Sequence, residues 1–95
     1  MTRVETTFDM DFMIADRFGV NAVKDTFNRA FTEWRGDARY LTELVMVLNH
    51  RCWLWYEKGH NALSKVYEDC FYKAQSWAYN HLKGEELKFF LEVTD

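Results

Sequence analysis

Four glycines (Gly19, Gly36, Gly59 and Gly84) and no proline in 95 residues constrain this chain more than any other feature. A turn-rich β fold needs many more such residues, whereas long helices tolerate few interruptions. Each glycine falls where a helical hydrophobic pattern stops, as expected of residues that turn left-handed after a helix. The spacing therefore predicts five helices.

The first is short, over 7–18, with Thr6 as its cap and Asp9 in its first turn near the positive end of the helix dipole. In the second, over 20–35, Val20, Val23, Phe27, Ala30, Phe31 and Trp34 recur at steps of three and four and form one apolar stripe. Asp37 caps a third helix reaching about Lys58. The fourth, 61–82, places Leu63, Val66, Tyr67, Cys70, Ala74 and Trp77 on one face, with His81 beside them. The fifth, 85–93, turns Leu87, Phe90 and Leu91 inward. Loops of two or three residues make the longer helices antiparallel neighbours. The expected fold is all-α: a compact helical bundle of three longer antiparallel helices plus short N- and C-terminal helices, forming a single domain over 1–95. At 48% hydrophobic and 18% aromatic, the chain can build such a core without disulfides or metal.

The charge is −3 and concentrated at the ends. Residues 1–19 carry −2 and residues 84–95 carry −3, while the segment between them carries +2. No basic stripe exists, which argues against nucleic-acid binding through phosphates. A helix-turn-helix reading fails on the same ground: one reader, 38–58, is too apolar, and the other sets Glu68 and Asp69 against phosphates. The start "MTRVETTFDMDF" has no apolar run behind a basic segment, and the longest purely apolar run is Leu44–Leu48. The expectation is a cytoplasmic protein with no membrane association.

The densest chemistry lies in "NHRCWLWYEKGH", residues 49–60. Wound into a helix, the cluster disperses. Leu41, Leu44, Val45, Leu48, Cys52, Trp55 and Tyr56 share one broad inward face. His50 points away from Cys52 and aligns with Glu43 and Glu57, and His60 lies beyond the glycine break. No metal site is expected, because zinc requires ligands at short recognisable spacings. Cys52 and Cys70 lie on apolar stripes, where a thiol is inert and is expected to stay free, so no catalytic role and no cofactor are expected. Met46 and Trp53 flank the His50 line. Central burial is the favoured reading of both; left exposed, they would anchor an interface.

The outer face of the fourth helix aligns Lys65, Tyr72 and Tyr79 at steps of seven, a pattern suited to protein contact unless a terminal helix covers it. Asp9, Asp11, Asp16, Glu85 and Glu86 make the ends acidic. Helix-start charge and solubility account for them, and an acidic contact patch is the functional alternative.

The stretches "DFMIADRFG", "DTFNRAFTEW", "YLTELVMVLNH" and "LKGEELKFFLEVTD" resemble a group of short uncharacterised proteins carried by conjugative elements and prophages of gut bacteria. The resemblance spans residues 8–95. It implies an accessory protein of a mobile element and assigns no activity or functional residue. The expected function is a non-enzymatic protein–protein interaction module that binds another protein or a second copy of itself. Met46, Trp53, Tyr72 and Tyr79 are its contact residues. The alternatives are an inhibitor of a host defence nuclease, anti-CRISPR-like and acting through acidic patches, and a DNA-binding accessory protein.

Overall fold

The computed structural model describes residues 7–94, with side chains from Phe8 onward. Five helices follow one another: α1 (Thr7–Asp16), α2 (Val20–Trp34), α3 (Ala38–Glu57), α4 (Asn61–His81) and α5 (Glu85–Thr94). No strand occurs among the described residues, and the principal extents are 38 × 29 × 20 Å. The cap expected at Thr6 lies outside the described residues.

Local chemistry places the helix ends. The Asp37 carboxylate accepts from the backbone N–H groups of Arg39 (3.0 Å) and Tyr40 (3.3 Å), satisfying two donors that an α-helix leaves free at its start. Gly19, Gly59 and Gly84 take positive φ as expected, but Gly36 does not. There Arg35 stays helical and the Asp37 N–H donates to the Trp34 carbonyl at 2.9 Å, closing the turn without a left-handed residue.

The core forms around α3, which touches all four other helices and packs most extensively on α4. Leu41, Leu44, Val45 and Leu48 are wholly enclosed, as are Phe12, Val23, Tyr67 and Phe90 from the surrounding helices. Full burial of each such apolar side chain stabilises the fold by about 1.5–3 kcal/mol. Two inward assignments change, and one charge is buried that the apolar pattern leaves outside. Tyr56 and Leu91 are exposed, whereas Arg51 is buried on the inner face of α3. Tyr56 lies at the solvent end of its helix. Leu91 flanks Phe90, the single buried side chain of α5. Arg51 is enclosed because other helices bring it partners.

Candidate functional site

On α3, the residues opposite the leucine stripe face outward. Met46 and Trp53, one heptad apart, are 43% and 57% exposed, which corrects the expectation of central burial. Although α3 is central, its neighbours cover only the other sectors of the helix. Trp53 meets Tyr56 edge-on, with ring centroids 5.6 Å apart. Met46, His50 and Trp53 form one wall of a groove of about 340 Å³, with Phe71 of α4 and Val93 of α5 among its other lining residues.

Tyr72 and Tyr79 are also exposed on α4. Tyr79 meets Phe90 of α5 edge-on at 6.0 Å, so the terminal helix reaches it without covering it. Near Tyr72, Lys65 pairs with Asp69 (3.1 Å) and Glu68 (3.3 Å), and these hydrogen bonds raise its pKa above the ordinary lysine value. Such exposed pairs contribute little to stability. The tyrosines remain available for contact.

The acidic patch does not assemble as expected. Asp11, Glu85 and Glu86 are exposed, but Asp11 lines a cleft beside α2 while Glu85 and Glu86 border another beside Arg39. Asp9 is buried in the first turn of α1. The Asp16 side chain is only 6% exposed, because three other helical residues converge on it at the end of α1. Arg51 forms an ion pair with Asp16, Tyr67 donates its hydroxyl to Asp16 Oδ1, and the Trp55 indole donates to Oδ2 at 3.1 Å. The Tyr67 oxygen in turn accepts from Arg51 Nε at 3.2 Å. Burial opposes the charge on Arg51, but its hydrogen bonds to Asp16 and Tyr67 outweigh burial and raise its pKa. Burial, reinforced by Asp16, pushes the Tyr67 hydroxyl well above the ordinary tyrosine value. The network ties α1, α3 and α4 together and leaves its charges no opening to a ligand.

The remaining nucleophiles and ligands are dispersed. Cys52 and Cys70 are free thiols. Ser64 donates to the Cys52 carbonyl at 3.0 Å, and burial, aided by the charge of Asp69, pushes the Cys70 thiol up to about 11. His81 is exposed rather than in the core. It stacks on Trp77 at 4.2 Å, and its Nδ1 lies 2.9 Å from the Trp77 carbonyl. His60 meets Trp55 edge-on. Among the described residues, no group of three or more His, Cys, Asp or Glu side chains is placed to hold a metal. No helix of the described residues is long and apolar enough to cross a membrane.

One exposed surface escaped sequence reasoning. α1 buries Phe8, Phe12 and Ala15 yet exposes Met10, Met13 and Ile14, and Phe18 just beyond it is 77% exposed. The signal was present in "MDFMIADRF", where six of nine residues are apolar and Met13, Ile14 and Phe18 exceed what one inward stripe can hold. Compared with known proteins, the chain matches no family model, no curated protein and no solved structure.

Proposed function

We propose that this protein is a non-enzymatic interaction module that binds another protein through the groove between α3 and α5. The observation that carries this reading is the exposure of Met46 and Trp53 on the wall of that groove. Aromatic and methionine side chains are enriched at protein interfaces, where a large rigid ring provides contact area at little entropic cost. Tyr72 and Tyr79 provide a second contact face on α4. The three longer helices act as an up-down-up antiparallel frame that holds both faces rigid. The setting we infer is the cytoplasm of a bacterium carrying a mobile element.

Affinity capture from such a host, with the unaltered chain and with Trp53→Ala, tests the reading. A partner retained by the first and lost by the second supports it, with the loss expected at about 2 kcal/mol or more if Trp53 is a central anchor. Equal recovery by both chains would overturn the role of this groove. Light scattering on the purified chain identifies the case in which the partner is a second copy.

A further inference from the structure

A cleft of about 310 Å³ opens between α1, α2 and α3, and it shares no residue with the groove at Met46 and Trp53. Helical spacing builds it. α2 contributes Thr26, Arg29, Glu33 and Trp34 along one stripe, at steps of three, four and one. α1 brings Phe8 and Asp11, three apart, and α3 brings Tyr40 and Glu43, also three apart. Three carboxylates from three helices thus line one space, against a single guanidinium. Neither Arg29 nor any other described cation forms an ion pair with them.

Thr26 supplies an independent pointer. The hydroxyls of Thr42 and Thr94 each donate to the carbonyl four residues earlier, at 2.7 Å, the usual resort of a threonine inside a helix. Thr26 is only 7% exposed, yet its hydroxyl bonds to no protein group, and it lines the cleft. No fully enclosed side-chain polar atom lacks a partner among the described residues, so this hydroxyl keeps a small exposed surface, on a residue that lines the cleft. A polar group this deeply placed gains from a hydrogen bond that a ligand brings. Beside it, Trp34 and Tyr40 lie ring to ring at 4.3 Å, with Phe8 edge-on to Tyr40, forming an aromatic wall.

The lining selects among ligand classes. An anion is repelled by the carboxylates, and a neutral apolar group leaves them and Thr26 without partners. A cation gains from both the carboxylates and the electron-rich ring faces. A guanidinium suits the site better than an ammonium, being planar, weakly hydrated, able to stack on rings and able to direct several N–H groups at separate carboxylates. The volume lies at the lower end of ligand sites, which range over roughly 300–1,000 Å³, and fits one side chain or a molecule of that size. We propose that this cleft binds an alkylguanidinium group, held by Asp11, Glu33, Glu43 and the Thr26 hydroxyl and stacked on the Trp34–Tyr40 wall. The site goes beyond the protein-interaction reading and stands without it.

Titration of the isotope-labelled protein with arginine methyl ester, followed at the Trp34 indole and the Thr26 amide, is expected to give saturable shifts with a Kd on the order of 1 mM. Citrulline methyl ester, a neutral near-isostere, and matched sodium chloride should leave both signals in place. Glu33→Gln and Glu43→Gln should each weaken binding about tenfold, while Glu92→Gln on α5 should not change it. An arginine-containing peptide binding about tenfold tighter than the ester assigns the cleft to a partner's arginine, and equal binding assigns it to a small free guanidine; both uphold the site. Absence of saturation, equal shifts with citrulline, or full affinity in both glutamine variants overturns it. Should the variants fail to fold, the arginine–citrulline contrast on the unaltered chain decides alone.

Discussion

Asp11 and Asp16 are five residues apart in the same ten-residue helix, yet their surroundings are opposite. Asp16 is enclosed at the junction of α1, α3 and α4 and shares its oxygens among Arg51, Tyr67 and Trp55. Asp11 stands exposed at a cleft with no cation paired to it. The difference follows from desolvation. A buried carboxylate persists only with charge and hydrogen bonds returned to it, and those same partners occupy every direction a ligand could use. An unpaired carboxylate at the surface keeps its water and can exchange that water for a binding partner. The first residue belongs to the architecture, the second, in the binding we propose for the cleft, to recognition.

The sharpest way to break this comparison is to remove the enclosed charge. Asp16→Ala strands Arg51 in the interior and should cost about 3–5 kcal/mol, read as a lowered urea midpoint; a loss below about 1 kcal/mol would mean that the network is ornamental. Tyr67→Phe keeps the ring and removes only the hydroxyl that links Arg51 to Asp16. Its expected cost is about 1–3 kcal/mol, and a fully stable variant would detach Tyr67 from the network.

A smaller effect comes from alkali. The Tyr67 hydroxyl and the Cys70 thiol both have pKa values raised by burial, so the native state holds protons that the unfolded chain releases. Stability is therefore fully present below the unfolded values of 9.0 for Cys70 and 10.0 for Tyr67, and it falls as pH rises through them. The slope is at most about 1.4 kcal/mol per pH unit for each group. For Cys70 the loss ends near its native value of about 11. Cys70→Ala should flatten the earlier part of that decline in a series of urea midpoints, and an unchanged slope would show the thiol to be uninvolved. The smallest effect is expected of Asp11→Asn, within about 0.5 kcal/mol of the unaltered stability, because an exposed and unpaired carboxylate supports nothing else in the fold. A larger loss there would erase the contrast between the two residues.

Much of this architecture is legible in the residues. The stripe of α2 and the Asp37 cap follow from local spacing and local hydrogen bonding, which need no knowledge of the other helices. Helices α1 to α4 each end two or three residues before a glycine. Arg51 and Asp16 were not legible, because their burial depends on three helices meeting. Each residue taken alone reads as a solvent-facing charge. The cleft was hidden for a related reason. Thr26 and Glu33 share one stripe of α2, but Glu43 belongs to α3 and Asp11 to α1, and they become one surface only when the three helices come together. Met46 and Trp53 turned on another nonlocal quantity, the arc of α3 that its neighbours leave uncovered, which hydrophobicity cannot report.

Phe90 is the only buried side chain of α5, while Phe89, Leu91 and Val93 stand exposed on the same short helix. Leu87 adds a half-buried contact with the core. A segment anchored at so few positions opens at lower free energy than one enclosed on several sides. Val93, which helps to line the groove with Met46 and Trp53, is carried on that same helix. The groove thus has unequal halves: one built into the α3–α4 core, the other carried by a short helix whose anchorage rests chiefly on a single ring, the half that opens first as the fold loosens.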